Sequence, residues 1–290
     1  MGNYENIEYI SFVHTLSFKT YDIVYKKNEQ PIKPTYIKSI TRHPECTTYI
    51  VNPNKYRGVI HCVEDFKNVM HDILDDLGIS TIYISRIDFC LNTNVNYDEL
   101  FKINHTFKEL YSFAIGSKNS YYTLGDDHKK RSTKVDHHTS SLEIYNKEIE
   151  SEGKSPYKTR MEFRFYHRMH LDGIDKLVKH IQDIFCKLPS CFDKLVDQQL
   201  IYLCNAYERE KQEKSEGRIL SLSEFVAKYS FSFFTYDVAR RFYNQYQNGQ
   251  FKSWLYQYRK NGHVLSLYSK KDMINYIKIL QRSVKKYVNP

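Results

Sequence analysis

The chain has 290 residues, of which 41% are hydrophobic and 27% are charged, and its formal net charge is +9. This length and hydrophobic content suffice for a full core, which disfavours extensive disorder. The sequence shows no secretory leader and no long apolar run, so we expect a soluble cytoplasmic protein that does not span a membrane. The six cysteines form no Cys-x-x-Cys pair, which is typical of reduced thiols.

Residues 1–170 show the alternating patterns of an α+β fold. Two amphipathic helices are predicted over 64–77, where Gly78 ends the helix, and over 97–113. Strands are predicted over 8–25, 46–51, 59–62, 81–91, 121–124, 142–147 and 159–165. We therefore expect an antiparallel-rich sheet packed with helices, and we assign residues 1–170 to a catalytic core.

Residues 171–290 are predicted to be mostly helical and to serve DNA binding or dimerisation. A first helix runs over 174–188, where Pro189 is expected to end it. Later helices are predicted over 192–214, after the capping box Ser221-x-x-Glu224, and over 235–246 and 271–286. The charged stretch 211–218 is predicted to be an exposed linker.

The positive charge is concentrated near the end of the chain. Residues 251–290 contain nine Lys or Arg and a single acidic residue, Asp272. Tyr256, Tyr258, Tyr268, Tyr276, Tyr287 and Trp254 are interleaved with these cations. Cations neutralise DNA phosphates and aromatic rings can stack on bases, although a solvated helix face is the alternative.

Two basic groups are therefore predicted to contact DNA. The first lies in a stretch that its polarity predicts to be a loop, and the second belongs to the C-terminal region. Their members are Lys129, Lys130 and Arg131, and then Arg259, Lys260, Lys270, Lys271, Arg282, Lys285 and Lys286.

Three predicted strands carry ionisable side chains on one face and apolar side chains on the other. Side chains two residues apart on a strand point the same way, so one sheet could gather all of them on a single surface. The ionisable sets are Arg86 and Asp88; Glu143, Tyr145 and Lys147; and Arg160, Glu162 and Arg164. These are the groups needed to bind a divalent metal and to attack a phosphodiester with a tyrosine.

Asp88 and Glu162 are the candidate ligands for Mg²⁺ or Mn²⁺, which prefer oxygen donors. For Asp88, the alternative is a salt bridge with Arg86 or Arg160, since a buried carboxylate needs a partner. Tyr145 is the candidate nucleophile, because neighbouring cations stabilise a phenolate or the attacked phosphate.

The histidines do not suggest a metal site of their own. No strand carries a His-x-His pair, and the adjacent His137 and His138 would point to opposite faces of a strand. His167 and His170 could share a helix face, but a surface or capping role suits them better. We therefore expect no histidine-based metal site of the kind common in nickases.

Four short blocks, in order, carry a resemblance to a known family. They are Val51-Asn52-Pro53-Asn54-Lys55, Arg86-Ile87-Asp88, Ile144-Tyr145-Asn146-Lys147 with Glu150, and Arg160-Met161-Glu162. In this order and approximate spacing they resemble the Rep_trans family, the replication initiators of staphylococcal-type rolling-circle plasmids, which are relaxase-like nickases. Asn92 and Arg164 stand where the family has further acidic residues, so Glu143 or Glu150 is a candidate to complete the ligand set.

The resemblance implies a specific activity. Tyr145 would nick one strand at a double-strand origin, with Asp88, Glu162 and Glu143 holding Mg²⁺ or Mn²⁺ and with Lys147 and Arg160 assisting. The products would be a 5′-phosphotyrosine link and a 3′ hydroxyl that primes synthesis. A homodimer, a host helicase as partner and a location in the bacterial cytoplasm are implied as well.

Three other functions remain open at this point. A transfer relaxase of a mobile element would use the same chemistry at another origin. A metal-dependent hydrolytic nuclease would need Asp88 and Glu162 but not Tyr145. A non-catalytic DNA-binding protein with this fold would need none of the three.

Overall fold

The structure is a computed structural model that describes residues 7–22, 34–117, 119–124, 131–213, 221–229, 232–233, 235–246, 251–252, 256 and 268–289. The expectations for Lys129, Lys130, Arg259 and Lys260 lie outside the described residues, as does most of the linker predicted over 211–218. Within the described part, no helix has the length and hydropathy needed to cross a membrane.

Eight strands form one sheet in which every neighbouring pair is antiparallel, in the order β2-β3-β1-β4-β8-β7-β6-β5. The strands are β1 (Ile10–Thr20), β2 (Ile37–Arg42), β3 (Thr47–Val51), β4 (Tyr83–Thr93), β5 (Asn119–Leu124), β6 (Arg131–His137), β7 (Ser140–Asn146) and β8 (Thr159–Phe165). With the helices described next, this confirms the predicted α+β fold and the antiparallel sheet.

Eight α-helices have defined bounds within the described residues. They are α1 (Asn54–Arg57), α2 (Val63–Leu77), α3 (Tyr97–Ala114), α4 (Lys147–Glu150), α5 (Ile174–Glu213), α6 (Leu222–Lys228), α7 (Tyr236–Tyr246) and α8 (Lys270–Val288), with a 3₁₀ turn at Leu171–Gly173. Gly78 ends α2 in the left-handed conformation, with φ of 64°, as the sequence predicts. The capping box at Ser221 and Glu224 is present at the start of α6.

The apolar face of the sheet is covered by helices. Phe89 of β4 meets the ring of Tyr287 on α8 at a centroid distance of 5.4 Å. Phe163 of β8 meets Tyr111 of α3 and Phe185 of α5, each at 5.7 Å. Strand alternation then directs the ionisable residues of β4 and β8 to the opposite face.

The last helix is fixed to the sheet by buried hydrogen bonds as well as by apolar packing. The hydroxyl of Tyr276 donates to Asn104 Oδ1 at 2.6 Å and lies 2.5 Å from the hydroxyl of Tyr9. Ser11 and Ser283 are joined at 2.8 Å. Stacking of Tyr268, Tyr276 and Tyr287 on DNA bases is therefore a wrong expectation, because all three side chains are buried in the protein.

The hydrophobic core is continuous across residue 170. Side chains of α5 and α8 belong to the same buried cluster as those of the sheet. Helices α5 and α8 therefore pack on the apolar face of the sheet. The division into a catalytic core and a separate C-terminal region stays a prediction.

Three local expectations are wrong. Pro189 lies inside α5 and does not end it. Its neighbours Leu188 and Phe192 are buried, so tertiary packing holds both halves of the helix, and Ser190 Oγ donates to the Lys187 carbonyl at 2.8 Å. Residues 59–62 form no strand, and the predicted basic loop gives way to β6 from Arg131 onward.

We predict that Tyr276→Phe lowers the free energy of unfolding by about 1–3 kcal/mol, because it leaves the buried Asn104 and Tyr9 groups without a partner. Urea unfolding of the full chain measures the change. Tyr202→Phe is the matched control, since Tyr202 is 50% exposed on α5, and we expect an effect within about 0.5 kcal/mol. Equal stability of the Tyr276→Phe protein and the wild type would show that this network does not hold α8.

Candidate active site

The candidate site lies on the face of the sheet opposite α3, α5 and α8, where β1, β4, β8 and β7 are neighbours. Strand register gathers side chains that are far apart in sequence into cross-strand rows. The rows are Asn92, Arg160 and Tyr145; Cys90, Glu162 and Glu143; and Asp88, Arg164 and Ser141. The structure thus brings together the predicted residues of all three strands, and Lys147 follows at the start of α4.

Tyr145 and Glu162 are directly joined. The phenolic hydroxyl of Tyr145 donates to Glu162 Oε2 at 3.1 Å. Burial raises the pKa of Tyr145 far above its ordinary value, and the Glu162 carboxylate raises it further. The phenol is therefore protonated at neutral pH, with an acceptor already in contact with its proton.

Glu162 is a buried carboxylate that neighbouring arginines keep ionised. It is 3% exposed, and its Oε1 accepts from Arg164 at 2.7 Å from Nε and 2.6 Å from Nη2. Burial alone would raise its pKa, but Arg164 and Arg160 together lower the pKa below the ordinary value. Glu162 is therefore ionised beside the protonated phenol of Tyr145.

Arg160 is the most enclosed cation of the site, with 3% of the residue exposed. Its Nε donates to Asn92 Oδ1 at 2.6 Å, and its guanidinium lies 5.8 Å from the ring centroid of Phe12. Nη1 lies 4.0 Å from Glu162 Oε2 and is buried without a hydrogen-bond partner. A buried N–H group in this state is suited to an acceptor brought by a ligand.

Asp88 is paired with Arg86, which was the alternative to metal binding. Arg86 Nε and Nη2 donate to the two carboxylate oxygens at 2.7 and 2.5 Å. Burial nevertheless raises the pKa of Asp88 above its ordinary value. Both oxygens of Asp88 thus accept from Arg86, and a role for Asp88 in metal binding stays a prediction.

Glu143 and Lys147 lie at the edge of the site. Glu143 Oε2 is 3.1 Å from Arg164 Nη2. Lys147 pairs with Glu150, and its Nζ is 6.0 Å from the ring centroid of Tyr145. Lys147 is therefore close enough to contribute to the electrostatic potential at the Tyr145 phenol. The roles predicted for Glu143 and Lys147 stay predictions.

Two residues of the site were missed in the sequence. The pairing of β1 with β4 shifts between Val13 and Thr15, which is a β-bulge at His14. One ligand atom each from His14, Cys90 and Glu162 lie within 4.8 Å of one another. Alternation along β4 could have placed Cys90 beside Asp88, and alternation along β1 could have placed His14 on the face of Phe12, but no sequence signal marks the pairing of β1 with β4.

The imidazole of His14 is neutral at physiological pH. Burial lowers its pKa to about 2, with further contributions from Arg160 and Lys38. Its Nδ1 is 3.0 Å from Thr15 Oγ1, which in turn accepts from Lys38 Nζ at 2.7 Å. A neutral imidazole held in this way has a lone pair available on one nitrogen.

The donor set of the structure does not fit the expected metals. Mg²⁺ and Mn²⁺ favour carboxylate, carbonyl and water oxygens. His14, Cys90 and Glu162 offer one nitrogen, one sulfur and one oxygen donor, a mixture that suits transition metals such as Zn²⁺. The structure thus contains a possible metal site, which shares Glu162 with the predicted ligands and has His14 and Cys90 in place of Asp88 and Glu143.

The basic residues of α8 lie on the side of the sheet that the helices cover. Lys270 Nζ pairs with Asp193 at 2.5 Å, and Lys286 Nζ lies 3.8 Å from Glu8. The exposed cations of the helix are Lys271, Lys278, Arg282, Lys285 and Lys286. Because α8 packs on the apolar face, this basic surface and Tyr145 are on opposite sides of the sheet.

The sequence matches no protein-family profile and no curated protein. Among solved structures, the chain is similar to a rolling circle replication initiator protein from Geobacillus stearothermophilus, at 12% sequence identity and a TM-score of 0.34. The similarity covers 60% of this chain and 78% of that chain. At this TM-score the likeness supports no conclusion about a common fold or activity, so the functional conclusion depends on the residues of the site.

We predict that Arg86→Leu destabilises the fold by about 3 kcal/mol, because it leaves the carboxylate of Asp88 buried and unpaired. The double variant Arg86→Leu, Asp88→Asn should recover a large part of that loss, since the uncompensated charge is then absent. Urea unfolding of the wild type, both single variants and the double variant measures the coupling. Additive losses in the double variant would show that the pair is not a coupled structural unit.

Proposed function

We propose that the protein nicks and rejoins one strand of DNA, with Tyr145 as the nucleophile, and that it initiates rolling-circle replication. The observation that carries the proposal is the 3.1 Å hydrogen bond from the Tyr145 hydroxyl to Glu162, beside the buried guanidinium of Arg160. The four ordered blocks that resemble those of Rep_trans initiators support the same role for Tyr145.

In the proposed step, the phenolic oxygen of Tyr145 attacks a backbone phosphorus, and the bond from that phosphorus to the 3′ oxygen breaks. The products are a 5′-phosphotyrosine ester and a free 3′ hydroxyl. The phenolic proton passes to Glu162, and the departing 3′ oxygen takes up a proton from solvent. Attack by a 3′ hydroxyl on the ester reverses the step and rejoins the strand.

Glu162 is the proposed base that removes the phenolic proton of Tyr145. Burial holds Tyr145 in its protonated form, so attack requires removal of the proton as the new bond forms. Glu162 is ionised and already accepts the hydrogen bond, and no rearrangement of the two side chains is needed. Arg164 orients the carboxylate through Oε1 and leaves Oε2 for Tyr145.

Arg160 is suited to the charge that develops on the phosphate. Its buried Nη1 has no hydrogen-bond partner, so a phosphate oxygen would complete its hydrogen bonding. Charge-assisted bonds of this type, positioned in advance, stabilise a transition state more than they do in water. Lys147, near the Tyr145 ring, adds a second positive charge on the same side.

The exposed cations of α8 are proposed to hold duplex DNA. The five residues Lys271, Lys278, Arg282, Lys285 and Lys286 are exposed on one helix, whose acidic residue Asp272 is engaged in its N-terminal capping box. A row of cations with this spacing can follow a phosphate backbone. We extend the proposal to a homodimer and a host helicase as partners, in the bacterial cytoplasm.

The resemblance implies Mg²⁺ or Mn²⁺ as the cofactor. The donor atoms near Tyr145 do not match either ion, and the proposed nicking step is therefore assigned to protein side chains alone. A transfer relaxase would use the same residues, and the DNA sequence that is cut distinguishes it from a replication initiator.

We predict that the protein forms a covalent adduct with labelled single-stranded DNA from its own replicon and that Tyr145→Phe abolishes the adduct. Reactions with Mg²⁺, with Mn²⁺ and without added metal are resolved on a denaturing gel. Tyr157→Phe is the matched control, since Tyr157 lies near Phe12 on the same side of the sheet, with ring centroids 6.2 Å apart. The control should form the adduct at a rate near that of the wild type.

The other outcomes separate the remaining functions. Cleavage without an adduct would indicate a hydrolytic nuclease, and binding without cleavage would indicate a DNA-binding protein. An adduct that persists in Tyr145→Phe but disappears in Tyr157→Phe would show that Tyr157, and not Tyr145, is the nucleophile.

We predict that replacing Lys278, Arg282 and Lys285 by Gln weakens DNA binding in a way that does not depend on sequence. Each lost phosphate contact should reduce the slope of log affinity against log salt by about 1. Fluorescence anisotropy at several salt concentrations measures the slope. Lys179→Gln, an exposed position on α5, is the control, and an unchanged slope in the triple variant would exclude α8 from the interface.

A further inference from the structure

We propose that His14, Cys90 and Glu162 bind a divalent transition-metal ion of the zinc class. This site replaces the Mg²⁺ or Mn²⁺ site that the sequence leads one to expect. It shares Glu162 with the proposed nicking centre, but binding of the ion does not depend on nicking.

The three side chains come from three neighbouring strands, β1, β4 and β8. One donor atom from each lies within 4.8 Å of the other two, and Cys90 Sγ is 3.8 Å from Glu162 Oε2. Zn²⁺ binds its ligands at about 2.0–2.3 Å, so donors around one ion lie less than about 4.6 Å apart. Small side-chain rotations are enough to close the site around an ion.

The chemistry of the donors selects the class of metal. A thiolate and an imidazole are soft or borderline ligands that favour Zn²⁺ and its neighbours over Mg²⁺. Among the described residues, these three are the one group of His, Cys, Asp or Glu side chains close enough to share an ion. Mg²⁺ would need several oxygen ligands at one point.

The other carboxylates of this face are each paired with an arginine. Both oxygens of Asp88 accept from Arg86, and Glu143 Oε2 pairs with Arg164. A metal ion at either carboxylate would lie beside that guanidinium, and like charges repel. The mixed site uses Oε2 of Glu162, while Arg164 stays on Oε1.

A bulge and a neighbouring hydroxyl position the histidine. The pairing of β1 with β4 shifts at position 14, which places His14 and Thr15 next to each other on this face, and Thr15 Oγ1 lies 3.0 Å from Nδ1. Metal-binding histidines commonly use their second ring nitrogen in such a contact, which fixes the ring. Three protein ligands leave a coordination position open, as in catalytic zinc sites.

Binding of the ion exchanges one proton for two positive charges. Burial raises the pKa of the Cys90 thiol, so the thiol keeps its proton until the ion binds and then releases it to solvent. The site therefore gains one positive charge, and the new thiolate is close to the cations Arg160 and Lys38.

Binding is tested on the full-length chain after removal of metal, with Co²⁺ as a spectroscopic probe. We expect one Co²⁺ per chain, with a thiolate-to-cobalt charge-transfer band that Zn²⁺ removes and excess Mg²⁺ does not. Cys90→Ser should abolish the band, and His14→Gln should weaken binding by roughly tenfold or more. The matched control is Cys62→Ser, since Cys62 is also buried but lies at the start of α2.

Several results would overturn the proposal: no charge-transfer band in the wild type, a band that survives Cys90→Ser, or displacement of Co²⁺ by Mg²⁺. His14 is only partly buried, so His14→Gln remains a test if Cys90→Ser does not fold. Tyr145→Phe should retain the band whether or not the wild type nicks DNA, which separates failure of this proposal from failure of the proposed function.

Discussion

Ionised groups that leave water must find partners, and the polar face of the sheet is arranged around that requirement. On β4, Arg86 binds Asp88 two residues further along, and on β8, Arg164 binds Glu162 two residues before it. Each strand therefore carries its own counter-ions on one face. The register between strands then places Tyr145 and Arg160 of neighbouring strands beside Glu162. These cross-strand contacts put a candidate nucleophile, a base and a buried cation together.

The opposite face explains how so many charges can be held in fixed positions. Close packing of β4 and β8 against α3, α5 and α8 leaves these strands little freedom to shift. The buried hydrogen bonds of Tyr276 extend this support to the last helix. One consequence concerns DNA: a molecule that touches both the cations of α8 and the hydroxyl of Tyr145 must pass around an edge of the sheet.

Much of this arrangement can be predicted from alternation alone, because period-two patterns mark the faces of β4, β7 and β8, and period-3.6 patterns mark α2, α3 and α8. The order of the strands cannot, since it depends on long-range pairing that places β8 between β4 and β7. Nor can the partner of Asp88 be chosen between Arg86 and Arg160 by spacing. At Pro189 the local sequence predicts the end of a helix, and this prediction is wrong because packing on both sides of the proline keeps the helix continuous.

Glu162 belongs both to the proposed nicking centre and to the proposed metal site. Arg164 occupies Oε1, so Oε2 must accept the proton of Tyr145 and also bind the ion. A carboxylate oxygen has two lone pairs and can do both at once. A positive ion on Oε2 would, however, reduce its basicity and with it its ability to take the phenolic proton. Metal binding and nucleophile activation are therefore coupled through one atom, and Arg164 sets the orientation of the carboxylate for both.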